Sequence, residues 1–420
     1  GVLLGLILFG IGALLFIPGA QIMNFPFFLG SLFIIGCGLT FLETSANPYV
    51  TVLGEPEHSE QRINFSQSFN GLGWIIGPVT GSAAVYGISC RNAQELAVEE
   101  INAAGGINGY PIVMKYDDDE HDAEKSVNAY NELKDWGMQM LLGTPTSGPC
   151  IQVSNESVQD NLFQLTPCGV APECIANPNS FAVCFSSAQQ GEKSAAYMKS
   201  RMDGAKIGIL YDASDVYSSG IRDSFAENAK KLGLSIVADE QFTADNKTDF
   251  TIQLQNLRNA GADVVFIPFY YTEAALVLQQ SHAMGYQPTF FGCDAIDGIL
   301  NVEGFDKSLA EGLMLLTPFS AEAEDAATQH FTSAYREKYH ETPDQFAADA
   351  YDGMYAIKAA AEKANITPAM SVSEIGNAME QAMTEIQLQG VTGTITWSAD
   401  GAPSKEPKVV IIRNGVYQIC

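Results

Sequence analysis

Two loops rich in hydroxyl and amide groups are placed where a carboxylate could bind. The first, residues 144–148 (TPTSG), follows a short apolar strand at 140–142 and precedes a predicted helix. Its hydroxyls and the free N–H groups of a helix start are donors that suit a carboxylate. The second, residues 166–170 (TPCGV), follows the next predicted strand. Both loops therefore lie at the C-terminal edge of a sheet, where open α/β folds bind ligands.

No comparable pattern indicates catalysis, a metal or a cofactor. The glycines at 105–109 follow a helix, so they indicate a helix end and a turn instead of a nucleotide cradle. The acidic run 117–122 lacks EF-hand spacing and is more typical of a strand end that caps the next helix. The five histidines are scattered, and neither Cys-x-x-Cys nor Gly-x-Ser-x-Gly occurs. The sequence predicts a binding protein that is not an enzyme, with no metal and no cofactor.

Charge and composition restrict the partners. The 420 residues include 49 acidic and 22 basic side chains, for a formal net charge of −27. Such a chain repels phosphate backbones, which argues against nucleic acid as a partner. With 17% charged and 46% hydrophobic residues, the composition is that of a folded protein, and the length suggests two or three domains.

The first 61 residues differ from the rest because they contain no lysine or arginine. Residues 1–18 and 25–46 are nearly continuous apolar runs. Each is close to the ~20 residues that cross a bilayer as a helix, and neither has the polar stripe of a soluble helix. Two transmembrane α-helices are therefore predicted, with the lipid bilayer as a partner of residues 1–46.

From about residue 88 onward, short β-branched runs alternate with amphipathic helical stretches. The strands are predicted at 112–116, 140–142, 163–165, 207–211 and 264–268, and the helices at 90–103, 123–136, 192–202, 221–232 and 274–284. This alternation predicts an α/β fold with parallel sheets covered by helices. Two doubly wound lobes suit the number of strands better than one very wide sheet.

The apolar N-terminal part carries a long motif, LFIIGCGLTFLETSANPYVTVLG at 32–54 followed by QRINFSQSFNGLGWIIGP at 61–78. This part, residues 1–80, resembles the fucose permease family of sugar–proton symporters in the major facilitator superfamily. In that family a glutamate on this helix takes part in proton coupling, and the matching residue is Glu43. The alternative is that Glu43 lies at the helix end and faces polar groups. We favour this alternative because a transport pathway needs both repeat halves.

The rest of the chain, residues 74–420, carries several motifs in order. They are GPVTGSAAVYG (77–87), AQELAVEEINAAGGINGYPI (93–112), KYDDDEHDAEKSV (115–127), LTPCGVAPE (165–173), FYYTEA (269–274), FFGCDAIDG (290–298), DQFAADAYDGMYAI (344–357) and GVTGTITWSADGAP (390–403). They resemble the leucine/isoleucine/valine-binding proteins, the type I periplasmic solute-binding proteins of ABC importers. The resemblance implies two hinged lobes, lobe one at 74–187 plus 318–387 and lobe two at 188–317 plus 388–420. It also implies a free amino acid as ligand, importer membrane subunits as partners and an extracytoplasmic location.

The resemblance assigns ligand binding to residues of both lobes: Tyr86, Ser147, Cys168, Val170, Tyr217, Tyr270, Asp294 and Phe346. Ser147 belongs to the first hydroxyl loop, Asp294 would receive the ligand's ammonium group, and the aromatic residues would form walls. Cys168 would contribute mainly its backbone. Val170 stands where family members often carry threonine, so a hydroxyl contact is lost. A ligand held by both lobes would tie them shut.

Each of these assignments has a structural alternative. Ser147 could be a helix N-cap, and Asp294 could cap the turn that follows it. The tyrosines could be ordinary half-buried aromatic residues of a cleft. The departures from the family pattern leave the amino-acid class in place, but they do not single out leucine.

Eight cysteines in 420 residues are too few for a disulfide scaffold. Cys174 and Cys184 bracket a short step between a loop and a strand. They are predicted to form a disulfide if the domain is exported. The alternative is two free buried thiols that behave as small hydrophobic groups.

The two resemblances overlap at GWIIGPVTG, residues 73–81. One segment cannot be both a membrane helix of a symporter and the first strand of lobe one. The strand is preferred because its loss would expose the sheet interior of the lobe. We hypothesise a recombined or misassembled reading frame that joins two genes here. Three functions stay open: an amino-acid-binding component of an importer, a sugar–proton symporter, and a membrane-tethered amino-acid sensor.

Overall fold

The computed structural model describes residues 84–302 and 304–420, together with helical positions 6–8, 10, 11, 13–15, 30, 31, 33–35 and 37. The chain divides into two units, residues 1–79 and 80–420. The strands and the longer helices described below all belong to the second unit.

The described part of the second unit alternates helices and strands. The helices are α1 (Ala84–Ala103), α2 (Ala123–Trp136), α3 (Ser147–Asp160), α4 (Ser187–Arg201), α5 (Val216–Leu232), α6 (Thr251–Ala260), α7 (Tyr271–Ala283), α8 (Ala326–Tyr339), α9 (Gln345–Lys363) and α10 (Val372–Met383). The strands are β1 (Met140–Leu142), β2 (Phe163–Thr166), β3 (Ser180–Ala182), β4 (Lys206–Asp212), β5 (Ser235–Phe242), β6 (Val264–Ile267), β7 (Thr289–Gly292), β8 (Met314–Thr317), β9 (Gln387–Gly390), β10 (Gly393–Thr396), β11 (Lys408–Arg413) and β12 (Val416–Ile419).

The strands form two sheets and a hairpin. The small sheet is parallel with the order β1-β2-β3. The large sheet has the order β12-β11-β8-β7-β6-β4-β5, in which β5, β4, β6, β7 and β8 run parallel. The strands β11 and β12 are antiparallel additions at its edge, and β9 pairs with β10 as an antiparallel hairpin. Parallel order keeps the carboxyl ends of neighbouring strands together, so the loops that follow them share one edge.

The predicted α/β pattern is confirmed for most elements. All five predicted helices are present, and so are four of the five predicted strands. Segment 112–116 is not a strand, because it has no ladder partner among the described residues. Helix α4 begins before its predicted start because Ser186 and Gln189 form a capping box around a first turn that carries no apolar periodicity.

Each sheet packs into its own core. Phe225 stacks on Phe266 with ring centroids 4.1 Å apart under the large sheet. Phe163 and Phe181 pack with Trp397 on the small sheet, and the Trp397 indole donates a 2.7 Å hydrogen bond to the carbonyl of Ala182. The lobe boundaries stay a prediction. Trp397 packs on the small sheet, and residue 408 already pairs in the large sheet. This favours a last passage of the chain from lobe one to lobe two between residues 397 and 408, later than the predicted boundary at 388.

The prediction of two transmembrane helices is wrong. No helix among the described residues is long and apolar enough to cross a membrane. The longest of them, α1 with 20 residues, carries one arginine and three glutamates. A span needs about 20 mainly apolar residues, and charges at its centre are costly. Glu43 and residues 74–83, which include most of the predicted strand at the overlap, lie outside the described residues.

Candidate ligand-binding site

A cleft lies where loops of the small sheet, loops of the large sheet and the helices α1 and α9 meet. The space that it encloses, including its mouth, is about 240 Å³. Its lining residues are Tyr86, Pro145, Thr146, Ser147, Cys168, Tyr217, Tyr270, Asp294, Ala295 and Phe346. Seven of the eight residues predicted to bind the ligand are in this set, and Val170 is not. Topology therefore brings together residues that are up to 260 positions apart, from Tyr86 to Phe346.

The Thr146 side chain presents a free hydroxyl to the cleft. Thr146 is the N-cap residue of α3, but its side chain makes no capping hydrogen bond. Its Oγ1 is buried and has no hydrogen-bond partner among the described residues. The first amides of a helix also lack intrahelical acceptors. Thr146 and the start of α3 thus offer unused donors to the cleft. The sequence had indicated the hydroxyls of the loop 144–148, but the residues assigned to the ligand included only the neighbouring serine.

Ser147 holds the second loop in place. Its Oγ accepts hydrogen bonds from the backbone amides of Val170, at 3.2 Å, and Ala171, at 3.3 Å. Val170 itself packs its side chain into the core and contacts the site only through this amide. Ser147 is the first residue of the helix and not its N-cap, so that alternative does not apply. The Thr146 and Ser147 hydroxyls therefore have different roles.

Asp294 places a buried carboxylate at the opposite wall. It follows β7 and is 2% exposed. Its Oδ1 accepts from the Tyr217 hydroxyl, at 2.6 Å, and from the Ala295 amide, at 2.8 Å. The other oxygen, Oδ2, contacts the weak donor Sγ of Cys184, at 3.8 Å, and the Gln190 side chain adds a hydrogen bond that favours the charged carboxylate. Asp294 therefore caps its own turn with one oxygen and keeps acceptor capacity on the other.

Burial raises the pKa of the Asp294 carboxyl to about 6, although the hydrogen bond from Tyr217 favours the charged form. Desolvation disfavours a carboxylate that has no cation beside it. A cationic group in the cleft would relieve this cost. The buried negative charge of Asp294 thus favours a ligand that places a positive charge beside it.

Aromatic rings form the remaining walls. The Tyr86 ring packs on Phe346 with centroids 4.3 Å apart, and the Tyr217 ring stacks on Tyr270 at 5.1 Å. The Tyr86 hydroxyl donates to the carbonyl of Ala295 at 2.5 Å, which fixes its ring against the turn after β7. The Tyr270 hydroxyl is buried without a partner among the described residues. The cleft is therefore apolar on its sides and polar at its two ends.

The start of α9 fastens the turn after β7. The Gln345 side-chain amide donates to the Asp294 carbonyl at 2.5 Å, and its backbone amide donates to Asp297 Oδ2 at 3.0 Å. Asp344 is the N-cap of α9 and accepts from the Ser89 hydroxyl at 2.6 Å. Burial, with the nearby Asp297 charge, raises the pKa of Asp344 to about 7. Sequence reasoning missed this set, although the Asp-Gln start before a helical run is a capping signal.

A buried ion pair lies behind the cleft. The Lys405 ammonium is 2.5 Å from Asp349 Oδ1, and both side chains are almost fully buried. Burial raises the pKa of Asp349 to about 6, and the Lys405 charge opposes that rise. No spacing in the sequence relates these two residues, which are 56 positions apart. Only the fold reveals the pair.

The predicted disulfide between Cys174 and Cys184 is wrong. Both thiols are free and buried. Cys174 packs with Cys150 and Ala171 and faces the Ser147 carbonyl, whereas Cys184 belongs to the main core and faces Asp294. The two sulfurs point into different clusters and cannot meet. The alternative of two buried hydrophobic thiols holds.

The acidic run 117–122 caps a helix, as predicted, but the strand that it was expected to end is not present at 112–116. Asp122 is the N-cap of α2, and its Oδ1 accepts from the amides of Glu124 and Lys125 at 2.9 Å. Within the part of the chain that the structure describes, no group of three or more His, Cys, Asp or Glu side chains could hold a metal ion. The run thus has a structural explanation.

Comparisons with known proteins identify relatives of this chain. The chain is 29% identical over 332 residues to the Leu/Ile/Val-binding protein homolog 3 of Brucella melitensis, which covers 78% of this chain and 87% of the relative. It is similar to the crystal structure of a branched-chain amino acid transporter substrate-binding protein from Streptococcus pneumoniae in complex with isoleucine, with a TM-score of 0.74, 27% identity and coverage of 81% and 95%. A leucine-binding protein from Thermotoga maritima, at 21% identity and a TM-score of 0.73, covers 82% of this chain and 95% of its own and shows the shared fold.

None of these findings supports the symporter resemblance of residues 1–80. The prediction that the chain is not an enzyme is confirmed, because its relatives are solute-binding proteins. The model of the family described as "Periplasmic binding protein" matches residues 73–414. The chain belongs to the periplasmic binding protein family.

Proposed function

We propose that the chain binds a free amino acid with a small aliphatic, branched side chain in the cleft, as the extracytoplasmic substrate-binding component of an ABC importer. Two groups at opposite ends of the cleft carry this proposal: the unpartnered Thr146 hydroxyl and the Asp294 carboxylate. A zwitterion presents a carboxylate and an ammonium group on one carbon, so it complements both at once.

The carboxylate end of the ligand belongs at α3. The Thr146 hydroxyl can donate a hydrogen bond, and the helix start adds backbone N–H groups and the positive end of the helix dipole. The ammonium end belongs at Asp294, whose Oδ2 is still free to accept. A charge-assisted hydrogen bond there is stronger than a neutral one. It would also stabilise the ionised form of a carboxylate that burial disfavours.

The side chain of the ligand faces the aromatic walls. The rings of Tyr86, Phe346 and Tyr270 give an apolar surface. A small apolar side chain suits this surface. The Streptococcus pneumoniae relative carries isoleucine, and the name of the Brucella relative specifies leucine, isoleucine and valine. Both names support the branched-chain class and an importer as partner.

Calorimetric titration of the full chain with the twenty amino acids tests the proposal. Leucine, isoleucine and valine should bind, and charged amino acids should not, because the walls provide no partner for a second charge. Leucine amide, which lacks the carboxylate, and 4-methylpentanoate, which lacks the ammonium group, are matched controls that should each bind much more weakly. Equal binding of leucine and 4-methylpentanoate would contradict the role of Asp294. No heat with any amino acid would contradict the proposal as a whole.

A further inference from the structure

Two cysteines meet in the wall of the cleft. The Sγ atoms of Cys90, on α1, and Cys168, in the loop after β2, are 3.9 Å apart. Both residues are buried, at 4% and 6% exposure, and Cys168 lines the cleft. The Cys90 thiol also faces the carbonyl of Phe346, at 3.5 Å, so the pair lies directly against an aromatic wall of the site.

We propose that Cys90 and Cys168 are a redox-responsive thiol pair, which a small-molecule disulfide converts into a disulfide bond between α1 and the site loop. A disulfide bond is about 2.05 Å long, so the two sulfurs, already in contact, must approach by about 2 Å. They lie 78 residues apart in the chain, so the bond would fix two separate segments of the site wall.

The chemistry is thiol–disulfide exchange. The thiolate of one cysteine attacks a sulfur of the small-molecule disulfide, which releases one small thiol and leaves a mixed disulfide on the protein. The second cysteine then attacks the protein sulfur of that mixed disulfide and releases the second small thiol. The two protein thiols lose two electrons and two protons, and the small disulfide gains both. The net result is one protein disulfide and two small thiols.

Burial slows this reaction. Burial raises the pKa of the Cys168 thiol, so the reactive thiolate is scarce while the pair stays buried. Exchange therefore requires exposure of the pair, and a bound ligand should protect it. This protection, unlike the bond itself, rests on the proposed amino-acid site.

Of the other buried cysteines, Cys184 faces Asp294, and Cys293 follows β7 in the large sheet. Cys150 and Cys174 lie together in a separate small cluster, so they are the competing pair. Cys420 is exposed and reports general thiol reactivity.

Peptide mapping tests the pair. The reduced full chain is incubated with oxidised glutathione, its remaining thiols are alkylated, and a non-reducing digest is analysed by mass spectrometry. The expected product is one linked peptide pair that contains Cys90 and Cys168 and has lost two hydrogens. C150A removes one member of the competing pair and is the matched control, which should give the same linkage, whereas C90A and C168A should abolish it while circular dichroism shows that they fold. Full alkylation of both cysteines in the wild type, or a predominant link between Cys150 and Cys174, would overturn the proposal.

A second arm adds leucine. At a concentration of about 100 Kd, the ligand-free fraction falls about 100-fold, so linkage should slow at least about tenfold while alkylation of Cys420 is unchanged. Linkage without protection, together with no calorimetric binding of leucine, would contradict the proposed function and leave the thiol pair supported. Normal leucine binding without any linkage would contradict the thiol pair alone.

Discussion

Replacing Asp294 with asparagine isolates the ammonium contact. In D294N the side-chain oxygen can still accept from the Tyr217 hydroxyl and the Ala295 amide, so the turn after β7 keeps its hydrogen bonds. What disappears is the negative charge and the acceptor at Oδ2, which the weak donor Sγ of Cys184 contacts at 3.8 Å. The variant should therefore fold, and its defect should appear in binding.

The size of the defect follows from the burial of Asp294, which is 2% exposed. Removal of one partner of a buried, hydrogen-bonded charge pair costs about 2–5 kcal/mol. Since each ~1.4 kcal/mol is tenfold in Kd, the affinity for leucine should fall at least about 30-fold. The loss should come mainly from faster dissociation.

Calorimetry with two ligands makes the prediction specific. D294N should weaken leucine binding, but it should not weaken binding of 4-methylpentanoate, which has no ammonium group. Y217F is the matched control: it removes a hydroxyl from the other oxygen of Asp294 and keeps the charge, so its effect on leucine should stay below about tenfold. If D294N binds leucine within about threefold of the wild type, or weakens both ligands equally, the assignment of the ammonium group to Asp294 is wrong.

Three further predictions concern the two ends of the cleft and the charges around it. T146V should weaken leucine binding about tenfold or more without loss of stability. S147A should instead lower the free energy of unfolding by about 1–3 kcal/mol, because two buried amides lose their acceptor. Calorimetry measures the first effect and thermal unfolding the second, and the reverse pattern would refute the assignment. Leucine binding should weaken about tenfold per pH unit below about pH 6, since protonation removes the Asp294 charge. Without leucine, the protein should gain stability from this group as the pH falls from about 6 toward 4, because the folded-state pKa of Asp294 lies above its ordinary value. A pH-independent affinity in the wild type would contradict the account. K405M should lower the free energy of unfolding by about 3–5 kcal/mol, because it leaves Asp349 buried without its partner. In denaturant titrations, the double variant K405M/D349N should recover part of this lost free energy. No recovery would mean that the pair is not coupled.

The elements and most of the site could be predicted from the sequence because they depend on local patterns and on motifs. Helix α2 has its predicted limits since Asp122 caps one end and Gly137 closes the other in a left-handed conformation. Loops after parallel strands of one sheet share an edge, so the loops at 144–148 and 166–170 were expected together. Asp294 follows a strand of the other sheet, and only the family resemblance assigned it to the same site.

What could not be predicted depends on side-chain direction and distant packing. Thr146 and Ser147 are neighbours of similar chemistry. Only the structure shows that the Ser147 hydroxyl accepts hydrogen bonds from Val170 and Ala171, whereas the Thr146 hydroxyl has no partner among the described residues. The pair of Asp349 and Lys405 has no sequence signature. Apolar composition at 1–46 predicted membrane spans, but no helix among the described residues is long and apolar enough to be one.

A crystal structure of the full chain with bound leucine tests the central claim most directly, because it locates both charged ends of the ligand. The account predicts the leucine ammonium within hydrogen-bond distance of Asp294 Oδ2, and the carboxylate at the Thr146 hydroxyl and the first amides of α3. A leucine molecule bound in the opposite orientation, or outside this cleft, would contradict it.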